Sequence, residues 1–217
     1  MSLCRSIAMT GGLFGVLLLS SHAGRGTPGP ANGPFDVRLR AIAKDYLAWG
    51  RVDGEARLAP TDCRAPVPAE ARVSRSEDAK THGQKLYSLF AKDRTAYLGA
   101  AKVPNPVGQI VVKQSWLPIE VPDDGGPLRA KAVQADGGRF IPLIRKDGKL
   151  LKAGKQADLF VMFKLDPQTP GTDQGWAYGT VTPDGTRVTS AGRVGSCMRC
   201  HAKADHDRLF GLPGGSK

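Results

Sequence analysis

The fold is decided by one almost wholly apolar run in the second half of the chain, Leu159-Phe160-Val161-Met162-Phe163-Lys164-Leu165. Strands that are buried on both faces of a sheet have continuous apolar sequences of this kind. We therefore expect this segment to form a central strand, with further strands beside it.

Three other segments have the patterns of strands. Gln109–Trp116 is rich in β-branched residues and alternates in part, and Trp176–Thr182 alternates large and small residues. The sequence Pro183-Asp184-Gly185-Thr186 is typical of a turn, and it leads into a strand predicted at Arg187–Ser190.

The segment His82–Phe90 is ambiguous, because a helix is an open alternative over so short a run. As a strand it would have two distinct faces, with Leu86, Ser88 and Phe90 on one and Lys85, Tyr87 and Leu89 on the other.

Helices are predicted near both ends of the domain. Apolar residues at steps of four, three, four and three share one helical face: Phe35, Leu39, Ile42, Tyr46 and Trp49. Asp36 favours the start of that helix and Gly50 its end. Short helices are also expected over Asp93–Ala101 and around Ala202–Phe210.

Two stretches have irregular patterns. Asp53–Ala69 is punctuated by prolines and carries Cys63, and Asp123–Gly148 is polar and glycine-rich, with a short hairpin expected around Arg139–Arg145. Together the elements predict an α+β fold, a single antiparallel sheet-rich domain with few helices.

The chemistry is concentrated in the motif Cys197-Met198-Arg199-Cys200-His201. Two thiols three positions apart and a histidine directly after the second are the attachment pattern of a c-type haem. Each cysteine can form a thioether to one haem vinyl group, and the imidazole of His201 can then bind the iron as proximal ligand. The motif predicts one covalent haem c per chain.

Two alternatives use the same residue types. A zinc site needs four ligands in a tetrahedral arrangement, and downstream of residue 23 the other cysteine and histidines (Cys63, His82 and His206) stand singly. A thioredoxin-like redox pair belongs near a βαβ unit, and the sequence has no βαβ pattern. Haem is the preferred interpretation.

Residues 1–23 have the features of a secretory signal peptide. Arg5 precedes an apolar stretch from Ile7 to Ser20, and small residues suited to cleavage follow. The apolar stretch is short for a membrane span. A flexible leader at 24–34 and a haem domain at 35–217 would follow, and we expect a periplasmic location. Cys63 would then be either a buried thiol or half of an intermolecular disulfide.

The charge balance bears on partners. The formal net charge is +11, from 31 Lys and Arg against 20 Asp and Glu. The cations are scattered rather than clustered with aromatic residues, so we expect no nucleic-acid binding. They could pair with haem propionates, attract an acidic redox partner or lie near anionic lipid.

The sixth coordination position of the iron would decide the function. A strong protein ligand there favours electron transfer, and an open position permits binding or chemistry. Met162 could be that ligand, although a methionine in an apolar strand usually belongs to the core. His82 could reach the opposite haem face or donate to a bound ligand, whereas His206 is too close in sequence to His201.

The chain resembles the cytochrome P-460 family, which includes cytochrome c′-beta, from Thr81 to Leu212. The resemblance rests on Gly108–Lys113, Trp176–Thr180 and Ser190–His201. It implies a homodimer, and it makes Lys113 the candidate for a cross-link to the haem edge. Cytochrome P-460 has that cross-link and oxidises hydroxylamine, whereas cytochrome c′-beta lacks it and binds nitric oxide or carbon monoxide. The distal candidates are His82, Lys85 and Tyr87.

Three functions are therefore hypotheses. The first is an exported mono-haem cytochrome with an open distal site that oxidises hydroxylamine or binds nitric oxide. The second is an electron-transfer cytochrome with six-coordinate haem, and the third is a sensor without turnover. The predicted sheet favours the first over the second, because small electron carriers are mostly helical, which is an analogy at the level of fold.

Overall fold

The computed structural model describes residues 33–49, 51–52, 82–125, 143–204 and 206–210, and the backbone alone at 72–73, 134–135 and 139–140. The predicted signal peptide, most of the predicted leader and the loop Asp53–Ala69 with Cys63 lie outside these residues. None of the helices within the described ranges is long and apolar enough to cross a membrane.

The described chain is dominated by strands. The helices are α1 (Asp36–Asp45), α2 (Arg94–Gly99) and α3 (Gly195–His201), and a 3-10 turn at Tyr46–Ala48 follows α1. The strands are β1 (Arg72–Val73), β2 (Leu86–Ala91), β3 (Ile110–Val121), β4 (Gln134–Ala135), β5 (Arg139–Phe140), β6 (Leu143–Lys146), β7 (Lys149–Gln156), β8 (Leu159–Lys164), β9 (Trp176–Val181) and β10 (Val188–Gly192).

The sheet is antiparallel throughout. Its strand order is β1-β2-β3-β8-β9-β10, and the β6–β7 hairpin pairs with the second half of β3. Strand β8 lies between β3 and β9, as its apolar sequence predicts. The prediction of an antiparallel sheet-rich α+β domain is confirmed.

Strand β3 is longer than the predicted Gln109–Trp116 because it continues through Pro118 to Val121. The register of β3 against β7 shifts between Trp116 and Pro118. Such an irregularity accommodates a proline, which cannot donate to the ladder.

Two antiparallel pairs lie near the hairpin predicted around Arg139–Arg145. Strand β4 pairs with β5, with Ala135 opposite Arg139, and β6 pairs with β7, with Arg145 opposite Leu150. The predicted position was wrong, because Arg139 and Arg145 belong to different pairs. The β6–β7 hairpin turns at Asp147 and Gly148, whose φ angles are +51° and +74°. Two successive residues with positive φ match the twist of a tight hairpin. Sequence periodicity missed β7 because its lysines and apolar residues do not alternate.

The segment His82–Phe90, for which both helix and strand were open, contains a strand. This strand, β2, begins only at Leu86. His82, Gly83 and Gln84 form a turn, and the φ of Gln84 is +50°. Leu89 pairs with Lys113 of β3, and Tyr87 pairs with Ser115. The predicted two faces of this strand are confirmed.

Helix α1 covers one face of the sheet. The predicted apolar face is confirmed, since Leu39, Ile42 and Tyr46 are buried, but the α-helix ends at Asp45 rather than near Trp49. Leu39 lies directly over Gly179 of β9, and a Cβ built on that glycine would be 2.5 Å from a Leu39 methyl carbon. The glycine therefore permits the close approach of helix and sheet.

This contact predicts two stability changes. Leu39→Ala should lower the free energy of unfolding by about 2–5 kcal/mol, because it leaves a cavity in the core. Gly179→Ala should lower it by about 1–3 kcal/mol through overpacking. Urea denaturation followed by circular dichroism measures both. A Gly179→Ala variant as stable as the wild type would contradict this description of the contact.

Candidate haem-binding site

The CxxCH motif forms helix α3, directly after β10. Cys197 and Met198 of this helix, together with Val194 just before it, pack against a buried cluster on the sheet that includes Met162 and Tyr178. A spacing of three and four residues puts such side chains on one helical face. The helix predicted around Ala202–Phe210 was wrong, because helical structure ends at His201 and the following residues form turns.

The strand register determines which sheet residues face this helix. Directly opposed residues of antiparallel strands project to the same face. One such row runs across five strands, and its members are Leu89, Lys113, Phe160, Thr180 and Ser190. The next row on that face includes Met162 and Tyr178, beneath α3. Lys113 and the motif therefore belong to the same side of the sheet.

A cavity of about 680 Å³ lies between this face and α3. Cys197, Cys200 and His201 line it together with two of the predicted distal residues, His82 and Lys85. Apolar surface from Leu117, Phe160 and Val194 completes part of the wall. The size is within the range of ligand and cofactor pockets. The structure thus brings the predicted motif and two distal candidates to one cavity.

His201 is held in one orientation. Its Nδ1 is 2.6 Å from the backbone carbonyl oxygen of Arg208, to which it donates as the protonated nitrogen. The ring packs against Tyr178 and Phe210, with centroid separations of 5.5 and 5.3 Å. Burial lowers the pKa of His201 below its ordinary value, which favours the neutral imidazole. A carbonyl bond at Nδ1 leaves Nε2 as the nitrogen for a metal.

The carbonyl partner of His201 belongs to an unusual turn. Asp207 and Arg208 have φ angles of +45° and +64°, the left-handed region that costs non-glycine residues of the order of 1–2 kcal/mol each. A backbone hydrogen bond of 2.8 Å from Leu209 to the carbonyl of His206 closes the turn. Other contacts must therefore stabilise this conformation.

The Asp207 carboxylate provides the first of these contacts. It accepts from Lys164 Nζ at 2.8 Å, from the indole of Trp176 at 3.1 Å and from the backbone N–H of Asn105 at 2.7 Å. Burial alone would raise the pKa of Asp207, but these bonds lower it below its ordinary value. The Asn105 amide also bonds to Gln109, which is 1% exposed. The turn is anchored to a buried polar network.

The Arg208 side chain provides a second anchor. Its guanidinium donates to the Asp173 carboxylate at 3.0 Å and to the carbonyl of Ala202, just after α3, at 3.1 Å. The hydroxyl of Tyr178 donates to the other Asp173 oxygen at 3.0 Å. This network joins α3, the turn and the sheet around the ring of His201.

Lys113 lies close to the other predicted site residues. Its ammonium is 4.1 Å from the centroid of the Tyr87 ring. Burial and the nearby charge of Lys85 lower the pKa of Lys113 to about 8. The charge of Lys113 also contributes to the lowered pKa of His201. Lys113 is therefore within electrostatic range of Lys85 and His201. Unlike Lys85 and His82, Lys113 and Tyr87 are not among the residues that line the cavity.

The other histidine and methionine candidates have different positions. The ring of His82 packs on Phe160, with centroids 4.3 Å apart, and lines the cavity. Met162 is 8% exposed and belongs to the buried cluster beneath α3, which is the core role considered for it. His206 lies in the turn after α3, where its backbone pairs with Leu209.

The residues present fit a covalently attached haem. Cys197 and Cys200 are both free thiols on a helix beside the cavity, and the bond from Nδ1 of His201 to a carbonyl leaves its Nε2 for a metal. In the part of the chain that the structure describes, no three His, Cys, Asp or Glu side chains group to hold a bare metal ion. A haem iron needs no such group, because the porphyrin supplies four of its ligands.

The fold and the site define a class, an antiparallel α+β domain in which a CxxCH helix lines a cavity. Comparison with protein-family models gives no match, and comparison with curated proteins gives no significant match.

Sequence reasoning missed Asp173, Asp207 and Arg208. They lie outside the motif, and their partners are up to 102 residues away in sequence. A local pattern carries no signal for such contacts.

The Asp207 anchor predicts a pH-dependent stability. We expect Asp207→Asn to lower the free energy of unfolding at pH 7 by about 3 kcal/mol, because Lys164 would stay buried without its carboxylate. The folded pKa of Asp207 lies below its unfolded value, so its contribution is complete above about pH 4 and is lost as the pH falls through the folded pKa. Urea denaturation at pH 7 and at pH 3 measures this. The difference in free energy of unfolding between the wild type and Asp207→Asn should be smaller at pH 3 than at pH 7.

The matched control is Asp123→Asn, which breaks the more exposed ion pair with Arg145 on the β6–β7 hairpin. Exposed ion pairs stabilise proteins by about 0–1 kcal/mol, so this variant should change stability little at either pH. An Asp207→Asn effect as small as that of Asp123→Asn would contradict the assigned anchor.

Proposed function

We propose that this protein is an exported mono-haem c-type cytochrome. Cys197 and Cys200 would hold the haem through thioethers, and His201 would be the axial ligand. The observation that carries the proposal is the position of these three residues at one cavity, with Nδ1 of His201 bonded to a backbone carbonyl. Metal-ligating histidines almost always donate their second nitrogen in this way. Residues 1–23 support export to the periplasm.

The protein residues would supply orientation and apolar contact. Phe160, Leu117 and Val194 line the cavity beside the motif. The hydrogen bond from His201 to Arg208 fixes the ring and raises the basicity of Nε2. When bound, the haem supplies the redox and ligand-binding chemistry.

An open distal site that acts on small nitrogen species is the finer proposal. Met162 is enclosed in the cluster beneath α3, which argues against its use as a sixth ligand. Lys85 and His82 line the cavity and offer hydrogen-bond donors to a small ligand such as hydroxylamine or nitric oxide. The positive net charge suits an acidic redox partner. A homodimer is part of the same proposal, through the resemblance to cytochrome P-460.

Lys113 is proposed as the residue that could be tethered to the haem edge. Its lowered pKa of about 8 leaves a fraction of neutral, nucleophilic amine near neutral pH. By the resemblance to cytochrome P-460, Lys113 would hold the haem at its edge, in addition to the thioethers of Cys197 and Cys200. The same resemblance implies that a cross-linked protein would oxidise hydroxylamine, whereas a protein without the cross-link would bind nitric oxide.

The test is the optical spectrum of the ferrous protein, produced with c-type haem maturation, beside Lys113→Ala. A red-shifted Soret band that this substitution returns to an ordinary c-type position would indicate the cross-link and favour hydroxylamine oxidation. A five-coordinate spectrum unchanged by it would favour nitric oxide binding. Lys149→Ala, which removes an exposed partner of Glu120 on the hairpin, should leave the spectrum unchanged.

Two results would contradict the proposal. One is the absence of covalent haem on a denaturing gel, when a known c-type cytochrome produced in the same way carries its haem. This result would contradict the proposed haem attachment. Sharp six-coordinate bands would instead indicate an electron carrier. Cys197→Ala with Cys200→Ala is expected to lose covalent haem completely.

A further inference from the structure

The turn at His206–Leu209 has a consequence for the site that the CxxCH motif does not specify. The motif fixes where His201 is attached to the chain, but it does not fix the rotation of the imidazole or the nitrogen that is protonated. In this structure the carbonyl of Arg208 does both, at 2.6 Å from Nδ1. The position of that carbonyl depends on two successive residues held in the left-handed region.

Asp207 is the residue that ties this turn to the sheet. Its two carboxylate oxygens receive bonds from Lys164, Trp176 and Asn105, of which Lys164 is only 8% exposed and Trp176 is fully buried. Lys164 and Trp176 stand directly opposite each other on β8 and β9. The carboxylate is thus attached to two buried residues on paired strands of the sheet.

We infer that Asp207 is a positioning residue for the imidazole of His201, acting through the Arg208 carbonyl. Asp207 does not contact the ring in this arrangement. It fixes the turn, and the turn presents the hydrogen-bond acceptor. The orientation of the ring follows from the geometry of the chain itself, and only its effect on the iron rests on the proposed function.

The first test uses the ring nitrogens and does not depend on haem. In ¹⁵N-labelled wild-type protein produced without haem maturation, histidine NMR should show His201 as a single tautomer with Nδ1 protonated and with slow exchange of that proton. In Asp207→Asn the exchange should be faster by about tenfold or more, and the second tautomer should appear. Unchanged tautomer and exchange in a folded Asp207→Asn protein would overturn the inference.

The second test uses the haem-loaded protein. A weaker bond at Nδ1 makes Nε2 a poorer donor to iron, so the ferrous iron–histidine stretching frequency should fall in Asp207→Asn. If no haem is attached to the wild type, the proposed function fails, whereas the NMR measurement still decides the role of Asp207. If haem is attached and the stretching frequency is unchanged, the inference fails and the proposed function stands.

The controls separate positioning from general stability. Leu39→Ala weakens the core on the opposite face of the sheet and should leave the His201 tautomer and the iron–histidine frequency unchanged. If Asp207→Asn does not fold, Lys164→Gln provides a milder change, since it keeps a hydrogen-bond donor to Asp207 and loses the charge. It should shift the His201 tautomer and proton exchange, and the iron–histidine frequency, in the same direction as Asp207→Asn but by a smaller amount. A folded Lys164→Gln protein with neither shift would overturn the inference.

Discussion

The site depends on the strand register across the centre of the sheet. The pairing of Leu89 with Lys113, of Lys113 with Phe160 and of Phe160 with Thr180 puts these side chains on the face that carries α3. A shift of one residue in any of these pairings would move a strand's entire set of side chains to the opposite face. The apolar residues of the other face, such as Val112 and Val161, make such a shift costly because they belong to the core under α1. Burial of apolar residues on the α1 face thus fixes the register that positions the site residues on the α3 face.

The site also depends on hydrogen-bond partners for the buried polar groups near the cavity. A buried polar network stabilises a structure only when its members have partners. Gln109 illustrates this, since its side chain donates to Asn105 and to the carbonyl of Asp93 and accepts from the backbone of Asp93 and Ile110. The same network ends at Asp207, so the N-terminus of α2 and the turn behind His201 are connected through one set of hydrogen bonds. The left-handed residues of that turn are tolerated because these bonds offset their strain.

Much of the fold could be predicted from the sequence. The apolar pattern of Leu159–Leu165 and the two-sided pattern of His82–Phe90 are direct consequences of burial, so periodicity identifies them. The β6–β7 hairpin was missed because residues such as Lys152 and Lys155 give β7 no alternation to recognise. The motif and its neighbourhood with His82 and Lys85 were predicted, but the helical structure was assigned to the residues after the motif rather than to the motif itself. The anchors Asp207 and Asp173 could not be predicted, because tertiary contacts alone give them a role.

The two faces of the sheet have different roles: one carries the apolar core under α1, and the other carries the candidate site. Successive residues of β3 project to opposite sides, so that Val112 is fully buried in the α1 core while Lys113 lies against Tyr87. The α1 face is closed by direct apolar contact at Leu39 and Gly179. On the other face, α3 and the turn after it cover the sheet at one end and leave the cavity at the other. A buried lysine and a buried carboxylate can be tolerated on that face because the core on the opposite side supplies the apolar burial that holds the strands together.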